Sequence, residues 1–231
     1  MVKKIMWDKG HGGTDPGAVG NGLEEKDLTH KIVEYAMNYL NDEYTGFEQR
    51  TTRTGDQTVP LNKRDDGADA WKADVFISVH INAGGGNGFE SFIYNGGVGA
   101  ATIELQNVLH AEIITAMRKF GNIADRGKKR ANFAVLRETN MPAILTENMF
   151  IDTSDSKYLK NEAFLKAVGE AHARGVAKYL GLPSTPQPTP TPEQPQKVNV
   201  IAGWYWEGSK GLQELEEFLK SKGWNYRKEK A

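Results

Sequence analysis

Three ionisable residues sit where the chain gives no packing reason for them. His11 lies in the loop WDKGHGGTDPG (7–17), His80 near the end of DVFISVHINA (74–83), and Glu147 near the end of PAILTEN (142–148). A loop so poor in bulk needs no imidazole for packing. His11 is therefore either an incidental member of a charged turn or a ring nitrogen presented to a ligand. A carboxylate following an apolar run must find a cation, reach water or keep its proton. The ordinary alternative for Glu147 is an ion pair with Arg126 or Arg137, and for His80 a core histidine bonded to backbone. Taken singly, each residue favours that structural role; taken as a set at three strand ends, they favour a site. Sites in open α/β sheets form beyond the carboxyl ends of parallel strands, so distant residues can meet there.

The chain has no cysteine, so any metal must be held by His, Asp or Glu. A catalytic zinc site takes three protein ligands and leaves one position open. His11 and His80 would supply two. NGLEEKDL (21–28) offers Glu24 and Glu25 for the third, but acids just before a helix also suit its N-terminus electrostatically. From composition alone that second role is the stronger, and the residues do not choose between the two acids. His30, His110 and His172 fall inside predicted helices without a partner at metal-box spacing, and read as helix-surface or helix-packing residues.

The elements that must position these groups follow from periodicity. KKIMWD (3–8) predicts a strand. Leu28, Ile32, Tyr35, Ala36, Tyr39 and Leu40 share one stripe and predict a helix over 27–44. Residues 60–73 predict a helix weakened by Gly67. DVFISVHI (74–81), apolar on both faces, predicts a central buried strand. FESFIY (89–94) predicts a strand, and Leu105, Leu109, Ile113 and Met117 a helix over 101–120. FAVLR (133–137) and PAILTEN read as strands, and 162–180 as a helix capped by Gly181. Such alternation predicts a single three-layer α/β domain over 1–182, its central sheet mostly parallel, with helices on both faces.

Proline and threonine crowd residues 183–197, which predicts an extended, solvated linker. Beyond it, 198–231 reads as a small β-α-β-like module: strand, helix over 210–223, and a final strand. Its aromatic and lysine content suits wall binding or serves as a mini-core, with self-pairing into a homodimer the further option. A net charge of −1 argues against nucleic acid as the main partner. No apolar run approaches the length of a membrane span, and MVKKIMWDKG lacks the apolar stretch of a secretory signal. The expectation is synthesis in the host cytoplasm and action after release.

Three segments, DKGHGGTDPGAVGNGLEEKDL (8–28), RDDGADAWKADVFISVHINA (64–83) and RGKKRANFAVLRETNMPAILTEN (126–148), resemble successive motifs of the zinc-dependent N-acetylmuramoyl-L-alanine amidases of type 3, found in bacterial autolysins and phage endolysins. The likeness spans residues 1–182 with order and spacing kept. It implies Zn2+ held by His11, Glu25 and His80, with Glu25 chosen over Glu24, and Glu147 as catalytic base. It implies peptidoglycan as substrate and cleavage of the amide between the muramic acid lactyl group and L-alanine; the missing secretory signal favours a phage or prophage endolysin, or a lysin of the spore mother cell, over an exported autolysin. Two residues depart from the family pattern: Lys9 replaces a small residue or proline, and Met149 replaces a glycine. Arg64 and Arg126 match motif arginines, with substrate positioning or a salt bridge as their alternatives; Asn82 contacts substrate or caps a turn. Another zinc wall hydrolase, or a wall-binding protein with a dead site, are the competing readings.

Overall fold

Side chains alternate along the strands, and that alternation divides the core in two. In the computed structural model residues 2–185 and 208–223 are described. The chain runs through β1 (Lys3–Lys9), the short strands β2 (Val19–Gly20) and β3 (Leu23–Glu24), α1 (Glu25–Glu43), β4 (Phe47–Thr51), α2 (Leu61–Trp71), β5 (Val75–Asn82) and β6 (Phe89–Tyr94). It continues through α3 (Ala100–Met117), β7 (Asp125–Ala131), α4 (Ala134–Arg137), β8 (Ala143–Phe150), α5 (Ser156–Leu159) and α6 (Glu162–Leu180), and further on α7 (Lys210–Ser221).

The main sheet has the order β4-β1-β5-β8-β6-β7. Every neighbouring pair is parallel except β6 with β8. Ile5 and Trp7 of β1, Val75, Ile77, Val79 and Ile81 of β5, and Ile144 of β8 join the larger core, with residues of α1, α3 and α6. The intervening Met6, Phe76, Ala143 and Leu145 join a smaller core with Ala68 of α2 and Val135 and Leu136 of α4. The result is the predicted three-layer α/β domain. Continuing the same alternation carries Asp8, His80, Glu147 and Glu90 onto the face of the smaller core, beyond its apolar patch.

FAVLR is not a strand. Ala134–Arg137 form one helical turn, in which Leu136 N–H and Arg137 N–H donate to the Phe133 carbonyl at 3.1 and 3.0 Å. A short apolar run cannot distinguish strand from buried turn, and here adjacent Val135 and Leu136 are both buried. The strands β4 (FEQRT) and β7 (DRGKKRA) carry no apolar run because both are sheet edges, where charge guards the open backbone.

The chain separates into two compact units, Met1–Pro186 and Gln187–Ala231. The first stays hydrogen-bonded through Thr185, whose N–H donates to the Glu43 carbonyl at 2.8 Å. In the second, the Ser209 hydroxyl caps α7 by accepting from Leu212 N–H at 3.3 Å. The two strands predicted in the tail, and most of 183–197, lie outside the described residues. Among the described residues no helix is long and apolar enough to cross a membrane.

Candidate metal centre

His11 follows β1 in left-handed backbone, φ 61°. Two buried arginines fix that loop. Arg64 donates to Asp8 Oδ1 at 2.7 Å and to the carbonyls of Lys9 and His11 at 2.8 and 2.9 Å. Arg53 donates to the carbonyls of Lys9 and Lys26 at 3.1 and 2.6 Å. Arg64 is thus the structural clamp of the His11 loop. The Lys9 side chain is buried and pairs with Glu34 of α1 at 2.5 Å.

Glu25 opens α1 and faces both histidines. Its Oε2 lies 3.2 Å from His11 Nε2, and its Oε1 lies 2.9 Å from His80 Nδ1. Each oxygen also accepts one backbone N–H, from Ala18 and Ile81, at 2.8 and 2.9 Å. One potential ligand atom from each of the three residues lies within 4.8 Å of the others. Glu24 is half-exposed and pairs with Lys26 at 3.4 Å, so it does not enter the cluster. Asp15 Oδ2 lies 2.8 Å from His11 Nδ1 and can hold that nitrogen's proton, leaving Nε2 free to bind.

Glycine is required where the cluster is tightest. A Cβ on Gly17, at φ +67°, would meet Glu25 Oε2 and His11 Cδ2 at 2.6 Å. A Cβ on Gly10 would meet three atoms of the His80 ring between 2.5 and 2.8 Å.

The electrostatics show a centre built for positive charge. Burial, the largest single influence on Glu25, raises its pKa; hydrogen bonds and charges from His11 and His80 outweigh it and hold the carboxyl well below the usual range. The Glu25 hydrogen bond pushes His11 up to about 9. Protons on the two rings thus answer the carboxylate in the metal-free protein. A divalent cation fits the same donors: two imidazoles and a carboxylate form a set that catalytic zinc uses with an open fourth position.

Glu147 lies one strand away, paired in register with His80. Its Oε2 is out of contact with solvent and has no hydrogen-bond partner among the described residues. Burial, with smaller contributions from Glu25 and Glu90, pushes its carboxyl up to about 7 against the opposing charge of His80. Neither arginine considered from sequence pairs with it: Arg137 binds Glu138, and Arg126 binds Glu90. A bulge follows at Asn148–Met149, opposite the His80–Asn82 step of β5. Met149 there is buried with φ 75°, the backbone that the glycine usual in the family would adopt without strain.

Glu90, the register partner of Glu147 on β6, was not visible as a site residue in sequence. The available signal was its parity within FESFIY, which puts it on the same face as Phe92. Its Oε1 accepts from Asn82 Nδ2 at 2.6 Å, and its Oε2 accepts from Arg126 and Lys129. The other histidines pack as expected. His110 lies between Ser91 and Asp125 at 2.8 and 2.9 Å, and His172 between Thr146 and the Val168 carbonyl at 3.0 and 2.8 Å.

A mostly parallel α/β layer with two imidazoles around a helix-start carboxylate, and beside them an acid unpaired among the described residues, is an arrangement that a metal-dependent hydrolase can use. The sequence family described as N-acetylmuramoyl-L-alanine amidase (Amidase_3) matches residues 5–178. The chain belongs to that family and is an amidase that cleaves the bond between N-acetylmuramic acid and L-alanine in peptidoglycan. It is 50% identical over 183 residues to the sporulation-specific N-acetylmuramoyl-L-alanine amidase of Bacillus subtilis (strain 168), covering 79% of this chain and 70% of that protein. It is 45% identical over 185 residues to the endolysin of Bacillus phage SPP1, covering 78% and 68%. Among solved structures, the catalytic domain of the amidase CwlV from Bacillus (Paenibacillus) polymyxa var. colistinus superposes with a TM-score of 0.72 at 31% identity, covering 78% of this chain and 99% of that one.

Proposed function

We propose that His11, Glu25 and His80 hold a zinc ion and that Glu147 is the general base of amide hydrolysis. The carrying observation is the convergence of those three donors beside a carboxylate oxygen that has no hydrogen-bond partner among the described residues. Zinc in such a set supplies a Lewis acid for the scissile carbonyl and makes a water acidic enough to lose a proton near neutral pH. Glu147 Oε2 would take a proton from the attacking water and return it to the departing alanine nitrogen, and the burial that raises its pKa suits that carboxyl to holding a proton. Glu25 and Asp15 orient the two rings, and Arg64 and Arg53 keep the His11 loop from relaxing.

Glu147→Gln is expected to retain zinc and to lose roughly 10²–10⁴-fold in turnover. His80→Ala is expected to lose both. The readouts are metal content by mass spectrometry and the free alanine amino terminus in digested peptidoglycan, with a chelated control. Undiminished hydrolysis by Glu147→Gln removes that residue from the mechanism, and undiminished zinc in His80→Ala removes the ligand set.

The chain serves as a lysin of phage or prophage type, a reading supported by its likeness to the SPP1 endolysin. Residues 198–231, tethered through 183–197, add wall affinity or self-association by raising local concentration. Pelleting with purified walls, whole chain against residues 1–185, tests the first; sedimentation of the whole chain tests the second.

A further inference from the structure

Arg126 is held in place without using its best edge. It lies on the outermost strand, β7, and only its Nε donates to Glu90, at 3.0 Å. Its guanidinium stacks 4.8 Å from the centre of the Phe150 ring. Among the described residues neither Nη1 nor Nη2 has an acceptor within hydrogen-bond distance. Lys129 shares the same Glu90 oxygen, so two cations answer one buried carboxylate and one positive charge is left over. The other Glu90 oxygen, Oε1, accepts from Asn82 Nδ2 at 2.6 Å. A planar fork oriented by Nε and a ring face, with both Nη groups free, is shaped for bidentate binding of a carboxylate.

Its position relative to the proposed base sets what it can read. Glu147, Glu90 and the Arg126–Lys129 pair stand on successive strands of one sheet face. Two strand spacings come to roughly 10 Å. An extended peptide covers that distance in two to three residues at about 3.5 Å each. The glycan side of the substrate carries hydroxyls and acetamides and no charge, whereas the peptide side carries carboxylates. Charge therefore directs the peptide toward β7.

We propose that Arg126, backed by Lys129, forms the subsite for a free carboxylate on the residue that follows alanine in the peptide leaving group. This rests on the amidase reading of the centre. Arg126 is then a specificity-determining residue, and amidation of that carboxylate weakens the substrate.

The test uses the whole zinc-loaded chain and two muramoyl-L-alanyl-D-glutamyl peptides, one with the α-carboxyl free and one amidated. The wild type is expected to show a KM roughly ten- to hundredfold lower for the free acid, with kcat changed by less than about threefold. Arg126→Met and Lys129→Met should raise KM for the acid and leave the amide nearly unaffected, with Arg126→Lys intermediate because it keeps charge but loses the fork. Equal KM values for both substrates in the wild type overturn the subsite while leaving the amidase reading intact. Equal losses on both substrates in the variants overturn it too, assigning Arg126 to support of Glu90. Competitive inhibition by a polyphosphodiester wall polymer that Arg126→Met abolishes, without carboxylate discrimination, overturns it in favour of a phosphate site. Zinc content and the Glu147→Gln variant, run in parallel, report separately on the centre itself.

Discussion

Gly10→Ala should disable the proposed metal centre without replacing any of its proposed ligands. The methyl group would stand 2.5 Å from His80 Cε1 and 2.7 and 2.8 Å from its two nitrogens. Ordinary carbon contacts begin near 3.5 Å, so roughly 1 Å of movement is needed. The backbone has little room to provide it. Gly10 N–H donates to the Val79 carbonyl at 3.1 Å, and its carbonyl accepts from Thr29 Oγ1 at 2.9 Å. The ring is the part that must yield. Metal–ligand distances tolerate only about 0.2 Å, and disturbing even an outer partner of a metal ligand typically costs 10–100-fold in affinity. Moving the ligand itself should weaken zinc binding by on the order of a hundredfold or more, about 2.8 kcal/mol. Titration against a competing chelator measures the affinity, and release of free alanine amino termini measures the consequence. Gly67→Ala is the control: a Cβ there meets nothing within 4 Å, and the helix should gain about 0.8–1 kcal/mol in stability with zinc binding unchanged. If Gly10→Ala binds zinc within about threefold of the parent, the reasoning that this glycine seats the His80 ligand is refuted.

Three further outcomes follow from burial and charge. Because Glu25 holds His11 up to about 9 and raises His80 as well, zinc must displace protons at neutral pH; calorimetry in buffers of different ionisation enthalpy should show one to two protons released per zinc, and none would contradict the shared centre. His172 is held down to about 4 by burial, so the unfolded chain binds its proton first as pH falls; its contribution is complete above pH 6.5 and is lost toward pH 4, roughly 3 kcal/mol in all. Urea unfolding at pH 7 and 4.5 should show that loss in the parent and much less of it in His172→Gln. At Met149, both Ala and Gly substitutions forfeit roughly 2–5 kcal/mol of buried packing, but only Gly removes left-handed strain of about 1–2 kcal/mol. Met149→Gly should therefore be at least as stable as Met149→Ala by chemical denaturation, and a Gly variant about 1 kcal/mol less stable would show that the backbone there is unstrained.

Much of the frame is legible in local pattern. The helix over 162–180 and the strand 89–94 are read with their observed bounds, and the helices at 27–44 and 101–120 differ from the observed ones by a few residues at their ends. These elements carry apolar stripes whose period matches their geometry. The misread FAVLR and the unread β4 and β7 share the opposite property: a single turn is too short for a period to develop, and an edge strand needs no apolar face. Glu90 escaped notice for a related reason, because its partners Arg126 and Lys129 lie on one of those unread edges.

What the sequence determined by itself is the set of strand ends bearing His11, His80 and Glu147, because alternation and apolar runs are local properties that fix which residues lie at the end of an element. Local chemistry left Glu24 and Glu25 equivalent, both acids at a helix start, and only likeness to a family separated them. Tertiary structure sets the two acids apart: the first turn of α1 carries Glu25 between the ring of His11, in the loop after β1, and that of His80 on β5, while Glu24 turns to Lys26 and solvent. It also decides that, among the described residues, Glu147 has no cation of its own and that Arg126 serves Glu90 instead. Such pairings depend on where strands distant in sequence lie side by side, and that is set by packing of the whole sheet against its helices.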